Sequence, residues 1–253
     1  MQKETKLKKL IKSLEPGTIL LTGWLEQMGI SRSLRQEYVK NGWLTPLGRG
    51  AYKRFEDEVE WFTGISALQK QAGFQVHVGA LTALEMLGLS HYLRINENKV
   101  YLFLPYKVKL PNWFIQYDWK QGIEHKQTSF LSYDIGLIDY EYNGTKLQIS
   151  SPERAMMECL YLAPEKIDLV ECYYLMEGLV NLQPELIKKL LKNCNSIKVN
   201  RLFLYMAEKA DHQWLQFIDL TNISLGSGER QIVKNGIYNS KYQLTLPKEL
   251  TEL

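Results

Sequence analysis

Long hydrophobic runs, paired cysteines and phosphate-cradling glycine loops are all missing from this sequence, and each absence removes a class of protein. The longest uncharged apolar stretches, around Met156 and Leu162, break off well short of the ~20 residues that a membrane span needs. Three cysteines occur, Cys159, Cys172 and Cys194, widely spaced and set in apolar helical patterns. Neither a disulfide framework nor a zinc knuckle fits that spacing. The histidines His77, His91, His125 and His212 share no metal-ligand spacing and are expected to be structural. With no Walker or dinucleotide glycine motif, no cofactor and no metal are expected. The N-terminus is polar and basic with no apolar signal core behind it, so a cytoplasmic location without a secretory signal is expected.

What is present is an ordinary globular composition, 253 residues at 45% hydrophobic and 23% charged, enough for one large or two modest domains. The net charge of +3 hides an asymmetry. Residues 1–54 hold eleven Lys and Arg (Lys3, Lys6, Lys8, Lys9, Lys12, Arg32, Arg35, Lys40, Arg49, Lys53 and Arg54) against four acids, a net +7 that leaves −4 for the remainder. A basic head on a slightly acidic body suits a nucleic-acid reader joined to something else.

The head reads as three short helices and a hairpin. Leu7, Leu10, Ile11 and Leu14 recur at helical spacing until Pro16-Gly17. Thr18 to Leu21 predicts a brief extended stretch. Thr22 is placed to cap a second helix carrying Trp24, Leu25 and Met28. Ser31 is placed to cap a third, with Leu34, Tyr38 and Val39 inward and Arg32, Ser33, Arg35, Gln36 and Lys40 outward. Trp43–Thr45 and Ala51–Lys53 predict two strands joined by a Pro46–Gly50 turn. This is the order of a winged helix-turn-helix. The third helix would enter the major groove, with Arg32 and Arg35 reading bases beside Ser33 and Gln36. Arg49 at the hairpin tip would meet a minor groove or phosphate, and Lys53 and Arg54 would hold the DNA backbone. The lysines of the first helix are expected mainly to solubilise it.

Beyond residue 55 the pattern changes. Trp61, Phe62, Ile65 and Leu68 predict an amphipathic helix, Phe74–Val78 a strand-like run, and Ala80–Leu87 a helix ending at Gly88. Strands are expected at Val100–Leu104, Trp113–Tyr117, Ile135–Tyr142 and Leu147–Ile149, with Asn143-Gly144 as a hairpin turn. Ser151-Pro152-Glu153 is a helix start, and helices follow to about Leu220, one opening at Pro184 and one burying Val199, Leu202, Phe203, Met206 and Ala210. A closing hairpin is expected from Gln231–Val233 and Tyr242–Leu246. The strongest catalytic alternative is a metal-dependent nuclease around Asp118, Glu124 and Lys126, but that stretch reads better as a polar loop. Gly226-Ser227-Gly228 reads as a turn.

Several segments carry a resemblance. Tyr38–Tyr52 (YVKNGWLTPLGRGAY), Val78–Leu89 (VGALTALEMLGL) and Ser151–Glu158 (SPERAMME), in that order, resemble the AbiEi antitoxins, the regulatory partners of type IV abortive-infection toxin–antitoxin pairs in phage defence. The closing Leu225–Arg230 and Tyr242–Pro247 are similar in style. The resemblance implies a repressor whose winged helix binds inverted repeats of double-stranded DNA in its own promoter. It further implies a C-terminal domain that neutralises a nucleotidyltransferase-like toxin without a stable complex. It draws attention to Glu153 and Arg154, for which a structural role at the helix start is expected. The stretch from Leu93 to Leu131 matches no family motif. The fold expected is α/β (α+β): a winged helix on residues 1–55 and a mixed α/β antitoxin domain on 56–253, with no enzymatic activity and no membrane contact. The rival reading keeps the winged helix and makes the body the sensor of a ligand-responsive regulator.

Overall fold

The computed structural model describes residues 10, 14–90, 99–221 and 223–253. The expectations for Leu7 and Ile11 in the first helix, for its lysines, and for His91 lie outside these residues. In chain order the first elements are β1 (Leu20–Leu21), α1 (Thr22–Gln27), α2 (Arg32–Lys40), β2 (Leu44–Gly48), β3 (Ala51–Arg54) and α3 (Trp61–Ala72). Next come β4 (His77–Val78), α4 (Ala80–Met86), β5 (Lys99–Pro105), α5 (Asn112–Gln116), β6 (Gly122–Thr128), β7 (Leu137–Tyr142) and β8 (Thr145–Ser150). The helices α6 (Pro152–Leu162), α7 (Leu169–Gly178), α8 (Pro184–Asn193) and α9 (Ile197–Lys209) follow. A 3₁₀ turn (Gln213–Phe217), β9 (Arg230–Gln231), β10 (Ile237–Asn239), β11 (Leu244–Leu246) and α10 (Lys248–Glu252) complete the chain. The mixed α/β fold is the one expected. Two compact units divide the chain: residues 1–76, 107–123 and 139–148, and residues 77–106, 124–138 and 149–253.

In the first unit, β1, β3 and β2 form a small antiparallel sheet in that order. With α1 and α2 they enclose Leu10, Leu20, Leu25, Ile30, Tyr38 and Leu44, and Leu14, Trp24, Leu34, Val39 and Tyr52 close the rim. Ser31 caps α2 as expected, its Oγ accepting the Leu34 N–H at 3.3 Å. Thr22 differs: it is the first helical residue, and the start of α1 is fixed by its backbone N–H donating to Gly50 O at 2.9 Å. The wing turn is tighter than expected. Pro46–Gly48 continue β2 through a bulge, leaving Arg49 and Gly50 to reverse the chain. The Gln71 side chain on α3 grips the edge strand, its Nε2 donating to Ile19 O (2.6 Å) and its Oε1 accepting from Leu21 N–H (2.8 Å).

Residues 112–116 are helical, correcting the strand expected at Trp113–Tyr117. A strand would send Trp113 and Phe114 to opposite faces. One helical turn instead buries both beside Trp119, whose indole N–H donates to Phe114 O at 2.7 Å. Packing of three aromatic rings outweighs their β propensity. The Asn143-Gly144 turn is as expected, both residues having positive φ (47° and 76°), which two-residue hairpins favour.

A five-stranded sheet has the order β6-β5-β4-β8-β7. Within the second unit, β4 pairs antiparallel with β5 and parallel with β8, Val78 lying opposite Leu102 and Ile149. The stretch read as a polar loop is in part the edge strand β6. Its half-buried Glu124 and exposed His125 and Lys126 mask the alternation that marks a half-buried strand, and charged side chains are what an edge strand tolerates. Helix α6 is buried from Glu153 to Leu160 and packs against α4, α7, α8 and α9, which makes it the central helix of the unit. The closing strands are also corrected. β11 pairs antiparallel with β10 and parallel with β9, so the hairpin partner is Ile237–Asn239 and not Gln231–Val233. Among the described residues no helix is long and apolar enough to cross a membrane.

Candidate nucleic-acid interface and a buried polar cluster

Helix α2 presents Arg32, Ser33, Gln36 and Lys40 to solvent, and Arg49 is exposed at the wing tip. Arg35 is not on that face. Three residues before Tyr38, it shares the inward side of the helix and is only 4% exposed. Its guanidinium donates to Ile30 O (2.9 Å) and to Glu26 Oε1 (2.9 Å), tying α2 to the end of α1. A buried arginine that satisfies a helix-end carbonyl fixes α2 against α1 and is not among the side chains that α2 presents to solvent. Its spacing from Tyr38 was the signal, overridden by its charge. Lys53 and Arg54 are half-buried. Lys53 Nζ donates to Asp57 O (2.6 Å), while Arg54 makes two bonds to the Asp57 carboxylate (2.9 and 3.1 Å), which also accepts from Gly17 N–H.

The second unit contains a polar cluster that sequence reasoning did not assemble. Glu158, one helical turn after Arg154 in α6, is fully buried and accepts four hydrogen bonds. Oε1 receives His77 Nε2–H and Arg154 Nε–H (both 2.8 Å), and Oε2 receives the Ser150 hydroxyl (2.7 Å) and Ala80 N–H (2.9 Å). Burial alone would raise the Glu158 pKa, but the His77 ring, the Arg154 guanidinium and the Ser150 hydroxyl hold it at about 2. Burial pushes His77 the other way, below its ordinary value, against the pull of Glu158. Arg154 Nη1 also donates to Ser132 O and Ile135 O, so one guanidinium joins α6 to the 132–135 segment. Glu153 accepts from Gln183 N–H at 2.9 Å, which fixes the approach to α8. Both Glu153 and Arg154 thus make structural contacts that reach beyond the helix start.

Comparison with known families decides the assignment. Residues 97–247 match the model described as "Transcriptional regulator, AbiEi antitoxin, Type IV TA system". Residues 3–95 match "Transcriptional regulator, AbiEi antitoxin N-terminal domain". The chain belongs to the AbiEi antitoxin family. A crystal structure of the RV2827C protein from Mycobacterium tuberculosis is similar at TM-score 0.61 and 15% identity, over 94% of this chain and 88% of that one. At that identity the likeness shows the fold. No curated protein matches the sequence.

In this AbiEi antitoxin the quoted motif segments acquire physical roles. Tyr38–Tyr52 is the end of α2 and the wing. Val78–Leu89 and Ser151–Glu158 meet at Glu158, whose carboxylate takes the N–H at the start of α4. The closing Leu225–Arg230 segment is organised by Arg201, a buried residue of α9 that the apolar stripe concealed. Its guanidinium donates to Leu225 O (2.7 Å), Gly228 O (2.7 Å) and Gln243 O (3.1 Å). The nuclease alternative finds no assembled site. Asp118 accepts from Lys120 N–H in an exposed turn, Glu124 pairs with Lys166 (3.2 Å), and Lys126 stands over the Tyr161 ring. Among the described residues no group of three His, Cys, Asp or Glu side chains could hold a metal ion. His212 is a buried structural residue bonded to Met176 O, and His125 is exposed on β6.

Proposed function

We propose that this AbiEi antitoxin represses its own operon through residues 1–55, and that residues 56–253 counteract a nucleotidyltransferase-like toxin without forming a stable complex with it. The observation that carries the first half is the exposed Arg32, Ser33, Gln36 and Lys40 face of α2, beside a wing with Arg49 exposed at its tip. A short helix capped at Ser31 offers its N-terminal residues to base edges, where Arg32 suits guanine and Gln36 adenine. Arg49 fits a minor groove or phosphate, and Lys53 and Arg54 flank the same wing as secondary phosphate contacts. Arg35 contributes by fixing the angle between α1 and α2. The second half rests on the family assignment.

The test is binding of the purified protein to the DNA upstream of its gene, against scrambled DNA, across a salt series. The expected result is preferential binding that persists at physiological salt, together with lower reporter output from that promoter when the protein is present. Equal, salt-labile binding to both DNAs overturns autorepression. Co-expression with a neighbouring toxin gene tests the antidote role. Growth rescue without co-purification is expected, and no rescue overturns it.

A further inference from the structure

Arg54 is the last residue of β3 and lies opposite Leu44, at the end of the wing away from its tip. Three residues later the Asp57 carboxylate meets its guanidinium side-on, Nε standing 2.9 Å from Oδ2 and Nη2 3.1 Å from Oδ1. The same Oδ2 accepts the Gly17 N–H at 2.9 Å, which anchors the carboxylate to the turn before β1. Lys53 Nζ donates to the carbonyl oxygen of Asp57 at 2.6 Å, so one aspartate holds both cations at the base of the wing. The ion pair is not sealed from water: the Arg54 side chain is 20% exposed and that of Asp57 13%. Pairs open to solvent are weakly held. A guanidinium fork fits phosphate as well as it fits carboxylate. A DNA phosphate and Asp57 would therefore compete for the same two N–H groups.

We propose that Asp57 sets the DNA affinity of the wing: its carboxylate occupies Arg54 in the free protein and is displaced when a backbone phosphate arrives, so Arg54 yields less than one full phosphate contact. The inference rests on the DNA-binding reading and adds to it a built-in restraint. Phosphate contacts carry the sequence-independent part of affinity. The restraint therefore weakens binding to all DNA alike and leaves base preference to the exposed face of α2.

The test is fluorescence anisotropy on the DNA upstream of the gene and on scrambled DNA, over a salt series. It compares the native full chain with Asp57→Asn, Arg54→Ala, the double variant and Glu58→Gln. Asp57→Asn removes the charge and keeps an oxygen for the Gly17 N–H. It should bind both DNAs about fivefold more tightly at physiological salt, with a slope of log affinity against log salt steeper by up to about 0.9. That gain should vanish when Arg54→Ala is added. Glu58→Gln removes the same charge from an exposed neighbouring position and should give a smaller gain. A purely structural Asp57 predicts the opposite sign, weaker binding with a lower melting temperature. A second readout uses the native protein and needs no variant to fold. In ¹⁵N spectra the Arg54 Nε–H resonance should move on saturation with DNA, while that of Arg201, bonded to Leu225 O in the second unit, stays. Unchanged or weaker binding by folded Asp57→Asn, a gain that survives Arg54→Ala, an equal gain in Glu58→Gln, or an unmoved Arg54 resonance each overturns the proposal and leaves DNA binding standing. Native protein that binds neither DNA overturns both.

Discussion

Glu158 and Arg35 are both charged side chains on helices, and both are buried because a specific set of donors or acceptors surrounds them. For Glu158 the four donors outweigh burial, so its carboxyl titrates at about 2 in the fold against roughly 4.3 in an unfolded chain. A depressed carboxyl stabilises the fold fully above the unfolded value and loses that contribution as pH falls toward the folded one. His77, depressed by burial, acts in the same direction at higher pH, since the unfolded ring takes up a proton below ~6.5 while the folded ring resists. Urea unfolding measured from pH 7 to pH 3 is therefore expected to show stability falling in two stages. Glu158→Gln should cost about 3–5 kcal/mol at neutral pH by stranding Arg154, and should flatten the lower stage. An unchanged acid limb in that variant would contradict the role given to Glu158. Arg35 supports a different comparison with Arg32. Arg35→Ala is expected to lower the melting temperature and to weaken all DNA alike, because it frees Ile30 O and Glu26. Arg32→Ala should leave the melting temperature unchanged and reduce specific binding by ~1–3 kcal/mol. Melting curves and competition binding on the two variants separate these outcomes.

At the scale of elements, the junction between β4 and α4 shows why a glycine stands at residue 79. A Cβ there would run into Glu158 Oε2 and stand 2.7 Å from the Phe103 ring, and neither can retreat from a packed core. Gly79→Ala is thus expected to destabilise the second unit by roughly 1–3 kcal/mol, the usual cost of overpacking. A thermal melt indistinguishable from the native protein would show that the α4 start can shift. Many elements were legible in sequence because their signals are local. Ser151-Pro152-Glu153 supplies a cap, a proline in the first turn and an acid there, and α6 begins at Pro152. Pro184 likewise opens α8. The misread elements are those set by distant partners. Trp113 and Phe114 look extended by propensity and become helical beside Trp119. Gly122–Thr128 looks like a loop and becomes a strand because β5 offers it an edge.

For the molecule as a whole, the net +7 of residues 1–54 bears on the proposed encounter with DNA and on its salt dependence. Withdrawing one cationic side chain from a phosphate should reduce the slope of log affinity against log salt by about 0.9. Lys40→Ala and Arg49→Ala are each expected to flatten that slope by one such step, measured by fluorescence anisotropy. A slope unchanged in both would place the phosphate-binding groups elsewhere. By itself the sequence determined the winged-helix order, the basic head, the capped helices and the family resemblance, since all of these are written in local spacing and residue type. The tertiary structure decided which charges remain available. It withdrew Arg35 from the exposed face of α2 and engaged Lys53 and Arg54 with Asp57. It also brought His77, Ser150, Arg154 and Glu158 together from separate stretches of chain. Burial and hydrogen-bond partners depend on which segments meet, and no local pattern around His77 carries the information that Glu158 lies 2.8 Å away.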